Sequence, residues 1–277
     1  MDADGLQSLL KCVECDSTSI ALEAGSLHCG DCGRSWPSVN GIYDLRPRSR
    51  LPLPAMYRDP HFLRWQEELA GAQDYFYRGN RLIRWVQNAG HRAVARMSSS
   101  GPDAMTLDLA CGDGAHRPFL SGTDNLVGLD IDQPSLEKLR SRFPDFLVVR
   151  GDCCRLPFAD ASFDRVISVA SLEHLIHLDF GLEEVARILK PEGELLASVP
   201  AEGGWAWKLG RALTTARRFT TRQFDYRRSN AIDHCNCIWQ ITKALSRHFS
   251  VEKRCLFPFR VPSFHLNLIV SWRLRKR

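Results

Sequence analysis

Residues 107–114 are LDLACGDG, an apolar segment that runs into two glycines separated by an acid. This pattern predicts a short buried strand followed by a tight turn. Gly112 and Gly114 allow the backbone to turn sharply and to approach a ligand closely. A dinucleotide-binding loop would place a third glycine at position 117, where this sequence has Arg117. The two glycines alone are therefore only a weak indication of a nicotinamide dinucleotide.

From residue 105 onward, short apolar segments alternate with amphipathic ones, which predicts strands and helices in turn. A helix predicted at residues 182–193 is expected to end at Pro191 and Gly193. The strands are predicted at MTLDLA (105–110), NLVGLDID (125–132), DFLVVRGD (145–152), SFDRVISVAS (162–171) and ELLASVP (194–200), and the helices at QPSLEKLRSRF (133–143) and LEEVARILKPEG (182–193). Such alternation is typical of an α/β fold with a Rossmann-like, doubly wound, mostly parallel sheet.

Each of the first three predicted strands carries an aspartate near its end, namely Asp108, Asp130 and Asp152. Ligands of such sheets bind beyond the carboxyl ends of the strands. Asp130 is suited to accept hydrogen bonds from both hydroxyls of a ribose. Asp152 is suited to accept a hydrogen bond from an exocyclic adenine amine. Three acids repel phosphate but attract a cation, so S-adenosylmethionine fits this edge better than a dinucleotide. Each acid alone is also common in strand-end turns.

These motifs, in this order, resemble those of class I S-adenosylmethionine-dependent methyltransferases. The resemblance covers roughly residues 105–200, through LDLACGDG, NLVGLDID, GDCCRLPFADASFDRVISVASLEHL and VARILKPEGELLASVP. It implies cofactor contacts by Asp108, Ala110, Gly112, Gly114, Asp130, Ile131, Asp152 and Cys153. The family usually has a glycine where this chain has Ala110, and the alanine methyl should be tolerated provided that φ of this residue is negative.

Two Cys-x-x-Cys pairs near the N-terminus predict a structural zinc site. Cys12 and Cys15 are separated by thirteen residues from Cys29 and Cys32. Such pairs place four thiolates at the corners of a tetrahedron, and the intervening segment is expected to form a hairpin that turns near Gly25. The segment resembles the zinc ribbons fused to many bacterial methyltransferases, including some that act on ribosomal RNA.

The organisation expected from composition has three regions. Residues 1–46 form the zinc ribbon, and residues 47–104 form an Arg- and Pro-rich linker followed by helices. Residues 105–277 form the methyltransferase domain, with a basic lid at about residues 201–240. The N-terminus lacks the features of a secretory signal, and LNLIV (266–270) is too short to span a membrane. We therefore expect a cytoplasmic protein without a transmembrane segment.

Methyl transfer to oxygen needs a base that accepts the proton of the acceptor. His174 follows the fourth predicted strand, and His234 lies in the long insertion after the fifth, where the substrate lid of this fold usually lies. Both are candidate catalytic residues. The alternative for His174 is a structural histidine, and for His234 a surface histidine.

Charge is distributed unevenly along the chain. Residues 201–277 contain 16 Lys or Arg and 4 Asp or Glu, whereas the first 200 residues contain 21 and 28. The basic region is expected to face an anionic partner. Such a partner is a phosphate-bearing small molecule, a glycan or lipid-linked acceptor, RNA, or a membrane surface contacted peripherally. A solvated basic face is the alternative.

Three functions follow from these patterns. The C-terminal third weakly resembles methyltransferases of polysaccharide and glycolipid gene sets, which implies O-methylation of a sugar on a nucleotide or lipid carrier. The alternative is an RNA methyltransferase, although residues 1–50 contain 7 acids and only 5 bases, which disfavours phosphate binding. The third possible function is that of a non-catalytic, methyltransferase-like scaffold.

Overall fold

The computed structural model describes residues 3–71, 81–120, 125–220 and 226–277. Eleven strands of this part of the chain form one sheet, in the order β1-β2-β3-β4-β7-β6-β5-β8-β9-β11-β10. Their bounds are β1 Ile20–Glu23, β2 Ser26–Cys29, β3 Ser35–Val39, β4 Ile42–Asp44, β5 Thr106–Leu109, β6 Leu126–Asp130, β7 Leu147–Arg150, β8 Phe163–Val169, β9 Leu189–Pro200, β10 Phe249–Phe257 and β11 Ile269–Lys276.

The central strands from β4 to β9 are parallel, and β11 and β10 extend this sheet in antiparallel fashion. The chain order reverses at β5, which pairs with β6 on one side and β8 on the other. This is the switch point at which open α/β sheets bind ligands. The predicted doubly wound, mostly parallel sheet is confirmed.

Helices cover both faces of the sheet. They are α1 Ala3–Gln7, α2 Pro60–Gly71, α3 Arg81–Met97, α4 Gln133–Arg142, α5 Leu178–Ile188, α6 Trp205–Leu213, α7 Thr215–Phe219, α8 Tyr226–Asp233 and α9 Ile238–His248. Apolar side chains of α3 and α4 pack in one buried cluster, and those of α5 and α9 pack in another. No helix of the described residues is long and apolar enough to cross a membrane.

One predicted helix boundary was wrong. We expected Pro191 and Gly193 to end the helix, but α5 already ends at Ile188 and both residues lie within β9. Leu189 takes an extended conformation and pairs with Phe163, after which the register shifts before Glu194. An irregular strand start tolerates proline because no ladder N–H is needed there.

The N-terminal hairpin was predicted correctly, since β1 and β2 pair antiparallel around Ala24 and Gly25, which both have positive φ. A second hairpin, β3–β4, continues from it, and β4 pairs in parallel with β7. The ribbon is therefore hydrogen-bonded to the edge of the main sheet. Part of the predicted lid, residues 221–225, lies outside the described residues, as do residues 72–80 of the predicted helical region.

Candidate active site

The glycine loop follows β5 at the centre of the parallel sheet. Gly112 and Gly114 have φ values of 53° and 82°, in the left-handed region that favours glycine. A Cβ atom on Gly114 would overlap the side chain of Leu139, whereas a Cβ atom on Gly112 would meet nothing within 4 Å. The backbone at Gly112 therefore borders open space, which would let a ligand approach it closely.

The condition that we set for Ala110 is not met. Its φ is +56°, not negative, so the residue occupies the left-handed region. An L-residue with a Cβ atom pays about 1–2 kcal/mol for this conformation. The loop thus keeps the backbone shape that a glycine would adopt without strain, and Ala110 stores strain beside the ligand-binding edge.

Asp108 lies within β5 rather than at the rim of the sheet, and it is only 2 % exposed. Among the described residues, its Oδ2 atom has no hydrogen-bond partner. Burial, reinforced by the negative charge of Asp130, raises the pKa of Asp108 to about 7. A nearby cation would stabilise the carboxylate form, so this acid is suited to a positively charged ligand.

Asp130 holds the glycine loop in place from the end of β6. Its Oδ2 accepts the backbone N–H of Gly112 at 2.8 Å, and its Oδ1 accepts that of Asp132 at 2.9 Å. Burial raises the pKa of Asp130, although these two hydrogen bonds oppose the shift. The next residue, Ile131, is 36 % exposed and presents an apolar surface at the rim.

Asp152 and Cys153 are buried just beyond β7. Asp152 Oδ1 accepts the backbone N–H of Cys154 at 2.9 Å, and its Oδ2 accepts Nε of Arg50 at 2.8 Å. The carboxylate that we expected to accept a hydrogen bond from an adenine amine is thus bonded to an arginine of the linker. His177 bonds the carbonyl of Pro52 at 3.1 Å, so the linker is fixed at a second point nearby.

These residues fit S-adenosylmethionine in three respects. They offer an unpaired buried carboxylate oxygen at Asp108, open space beside Gly112 and an exposed apolar side chain at Ile131. The individual cofactor contacts stay predictions.

The structure brings the two candidate catalytic histidines together. The ring centroids of His174 and His234 are 4.6 Å apart, with the rings at 74° to each other. His174 follows β8, and His234 follows α8, so the lid carries one histidine to the other. Although burial opposes it, Asp233 at 3.3 Å and Glu173 raise the pKa of His174 to about 9. His174 is therefore protonated at neutral pH.

Sequence reasoning missed the partner of His234. Its Nδ1 atom lies 3.1 Å from Oε2 of Glu202, which lies two residues beyond the end of β9. Nε1 of Trp207 donates to the same carboxylate at 2.8 Å, and Arg211 forms an ion pair with it. These contacts hold the pKa of Glu202 below its usual value against the effect of burial. The one available signal was the position of Glu202 shortly after the fifth predicted strand.

The four N-terminal cysteines converge as predicted. The Sγ atoms of Cys12 and Cys32 are 3.6 Å apart, as are those of Cys15 and Cys29. All four Sγ atoms lie within 4.8 Å of one another. A zinc ion with Zn–S bonds of about 2.3 Å has sulfurs roughly 3.8 Å apart, so the cluster fits a closed tetrahedral site.

Comparison with known proteins gives the same picture for the central domain. Residues 107–197 match the family model described as a methyltransferase domain. A phthiotriol/phenolphthiotriol dimycocerosates methyltransferase of Mycobacterium tuberculosis is 33 % identical over 145 residues, which cover 50 % of this chain and 53 % of the relative. The chain thus spans about half the length of that relative.

Two further similarities cover more of the chain. A putative 23S rRNA (guanine-N(1)-)-methyltransferase of Bacillus subtilis is 28 % identical over 204 residues, covering 70 % of this chain and 64 % of the relative. The crystal structure of the N-methyltransferase NodS of Bradyrhizobium japonicum, in complex with S-adenosyl-L-homocysteine, superposes with a TM-score of 0.55. It is 16 % identical and covers 79 % of this chain and 99 % of NodS. The chain therefore carries a class I S-adenosylmethionine-dependent methyltransferase domain.

Proposed function

We propose that this chain transfers a methyl group from S-adenosylmethionine to a hydroxyl oxygen of a lipid- or nucleotide-linked small molecule, with a sugar as the preferred acceptor. The observation that carries this proposal is the hydrogen bond between His234 and Glu202 at the carboxyl end of β9. A carboxylate that orients a histidine is the arrangement of a general base. Bound S-adenosylmethionine supplies an electrophilic methyl group.

In this proposal, His234 takes the proton of the acceptor hydroxyl. Because Nδ1 donates to Glu202, Nε2 carries the lone pair that accepts a proton. The nearest carboxylate oxygen to Nε2, on Asp233, is 4.0 Å away, beyond hydrogen-bonding distance. His174 is protonated at neutral pH and so is a poor base, but its charge stabilises Asp233 and it donates a hydrogen bond. We therefore assign His234 as the base and His174 as a positioning residue.

The preference for a lipid-linked acceptor rests on an apolar surface formed by α6 of the lid and the neighbouring β10–β11 connection. Trp205, Leu209 and Leu213 recur every four residues on α6 and are 70 %, 62 % and 66 % exposed. Phe259 and Leu266, between β10 and β11, are also exposed. The ring of Trp205 lies 4.6 Å from that of His265, so α6 contacts the β10–β11 connection.

Positive charge accompanies this apolar surface. Lys208 on α6, Arg217 on α7 and Arg260 in the β10–β11 connection are exposed. An apolar stripe bordered by basic residues is typical of a helix that lies on an anionic membrane. The Mycobacterium tuberculosis relative is named for a dimycocerosate acceptor, which supports a lipid substrate. We propose that this surface gives access to a lipid-linked acceptor by peripheral membrane contact.

Many of the basic side chains in the C-terminal region are paired with acids, so fewer of them are available to bind a partner than the net charge suggests. Arg211, Arg228 and Arg247 form ion pairs with acids, and Arg273 and Arg275 both contact Glu252.

The alternative of an RNA acceptor is supported by the name of the Bacillus subtilis relative, which aligns over 204 residues. We rank it second because exposed apolar side chains on α6 suit a lipid better than a polynucleotide.

Transfer of a tritiated methyl group tests the proposal. Purified protein and labelled S-adenosylmethionine are incubated with cell extract, which is then separated into lipid, polysaccharide, small-molecule and RNA fractions. Label in lipid or nucleotide-linked sugar, lost in His234→Ala, supports the proposal. Label confined to RNA selects the alternative. Cofactor binding without any transfer selects the scaffold.

A further inference from the structure

A cavity of about 390 Å³ lies between the ribbon and the linker, away from the histidine pair. Its walls come from β3, the end of β4 and residues 46–50. The charged and aromatic residues that line it are Arg34, Trp36, Asp44, Arg46, Arg48 and Arg50. Four guanidinium groups and a single carboxylate therefore surround a space large enough for a small molecule.

Two residues that line this cavity, Arg34 and Trp36, each have a buried donor without a partner. Nε of Arg34 and Nε1 of Trp36 make no hydrogen bond within the part of the chain that the structure describes. Trp36 is only 3 % exposed. Buried N–H groups are almost always hydrogen-bonded in folded proteins, so two unpaired donors in residues of one cavity wall are unusual and leave room for an acceptor.

The cationic charge is only partly neutralised. Arg46 is bonded to Asp44, with Nη2 and Oδ2 2.6 Å apart, and Arg50 is bonded to Asp152. Among the described residues, no acid pairs with the guanidinium of Arg34 or Arg48. Glu14 accepts the backbone N–H of Arg48 rather than its side chain. The cavity thus has two spare guanidinium groups and a spare indole N–H, which together suit a polyoxyanion.

The cavity lies beside the cofactor edge of the sheet. Arg150 donates to Oδ2 of Asp44 at 3.2 Å and to the carbonyl of Ile131 at 2.9 Å. Arg50 connects the cavity to Asp152 in the same way. Of the predicted cofactor residues, Asp152 is therefore one hydrogen bond from the cavity wall, and Ile131 is two hydrogen bonds from it through Arg150.

We propose that this cavity binds the diphosphate group of a nucleotide- or lipid-linked molecule. Arginine forks match the oxygens of phosphate esters, and the indole N–H adds a directed donor. A polynucleotide is a poorer match, because residues 1–50 are acidic overall and the basic groups form one cavity rather than a track. Identification of the diphosphate carrier with the methyl acceptor rests on the proposed function; diphosphate binding itself does not.

Calorimetric titration with inorganic pyrophosphate tests the site in the full-length, zinc-loaded protein. The double variant Arg34→Gln/Arg48→Gln is expected to raise Kd at least tenfold. Trp36→Phe keeps the ring but removes the N–H, and should raise Kd about threefold. The control Arg96→Gln/Lys138→Gln removes two exposed cations elsewhere and should stay within twofold of wild type.

The source of the diphosphate is distinguished by two further ligands. A nucleoside diphosphate tighter than pyrophosphate indicates a nucleotide carrier, and vesicles containing a polyprenyl diphosphate indicate a lipid carrier. The affinity for S-adenosylmethionine should be the same in the wild type and in the variants of Arg34, Arg48 and Trp36. This comparison separates failure of the diphosphate site from failure of the proposed methyltransferase function. Unchanged pyrophosphate affinity in the double variant overturns the proposal. The proposal is also overturned if an RNA oligonucleotide binds more tightly than the nucleoside diphosphate and the polyprenyl diphosphate, and if its binding depends on Arg34 and Arg48.

Discussion

Nε of Arg50 lies 2.8 Å from Oδ2 of Asp152, so the linker that follows the ribbon is tied to the edge of the cofactor site. Asp152 is the acid that we expect to accept from the adenine amine. We therefore expect the arginine and the cofactor to compete for this carboxylate. The linker thus has a direct contact through which we expect it to influence cofactor affinity.

Replacement of this arginine is expected to favour the cofactor. Arg50→Met keeps most of the side-chain length but removes the competing donor, so Kd for S-adenosylmethionine should fall about threefold, as expected for a half-exposed ion pair. Calorimetry measures the change, and Arg48→Met serves as the control. Weaker binding in Arg50→Met would show instead that the arginine positions Asp152 for the cofactor.

Cofactor affinity is expected to depend on pH through Asp108. The pKa of this buried acid is about 7, and a cationic ligand binds its ionised form. Below pH 7, binding must first remove a proton, so Kd should fall about tenfold between pH 6 and pH 8 and then level off. Proton release, measured by calorimetry in buffers of different ionisation enthalpy, checks the sign. Asp108→Asn should bind weakly and without this pH dependence; a pH-dependent Asp108→Asn variant would assign the titration to another group.

Glycine at position 110 is expected to stabilise the protein. Ala110 has a φ of +56°, and its strain exceeds the extra backbone entropy of glycine by about 0.5–1 kcal/mol. Ala110→Gly should raise Tm by about 1–3 °C in thermal unfolding. Ala95→Gly, at an exposed position of α3, should lower stability by about 1 kcal/mol. Equal destabilisation by both substitutions would contradict the assigned loop geometry.

Turnover is expected to depend on the histidine–glutamate pair. His234→Ala removes the proposed base and should lower kcat by 10²- to 10⁴-fold. Glu202→Gln keeps the size but removes the orienting charge, and should lower kcat less. Kd for S-adenosylmethionine should remain within twofold in both variants, because neither residue is among the predicted cofactor contacts. If His234→Ala turns over its acceptor at the wild-type rate, the base lies elsewhere.

One zinc ion per chain is expected on Cys12, Cys15, Cys29 and Cys32. Elemental analysis of purified protein should give about one equivalent, and less than half an equivalent would rule out the site. Cys32→Ser should lose the metal and expose the amides of β1 and β2 to hydrogen exchange. Cys237→Ser should retain zinc, because this cysteine caps α9, where serine is a preferred residue.

The parallel sheet was predictable because its strands and helices are encoded by local apolar patterns. β5, β6 and β7 lie where LDLACGDG, NLVGLDID and DFLVVRGD predict them. The early end of α5 could not be predicted in this way, because it depends on the pairing of Leu189 with Phe163, which is 26 positions away in the sequence. Arg50 and Glu202 were missed for the same reason: their partners, Asp152 and His234, are distant in sequence.

The sequence by itself determined the sheet, the glycine loop and the four-cysteine cluster, because each depends on residues close together in the chain. Only the tertiary structure decided the left-handed φ of Ala110, the pairing of the two histidines and the gathering of four arginines at one cavity. The arginine cavity shows the difference most clearly. Net charge counted along residues 1–50 is negative, yet folding gathers four arginines around one cavity. Electrostatic interactions depend on distance in space, which the order of residues does not give.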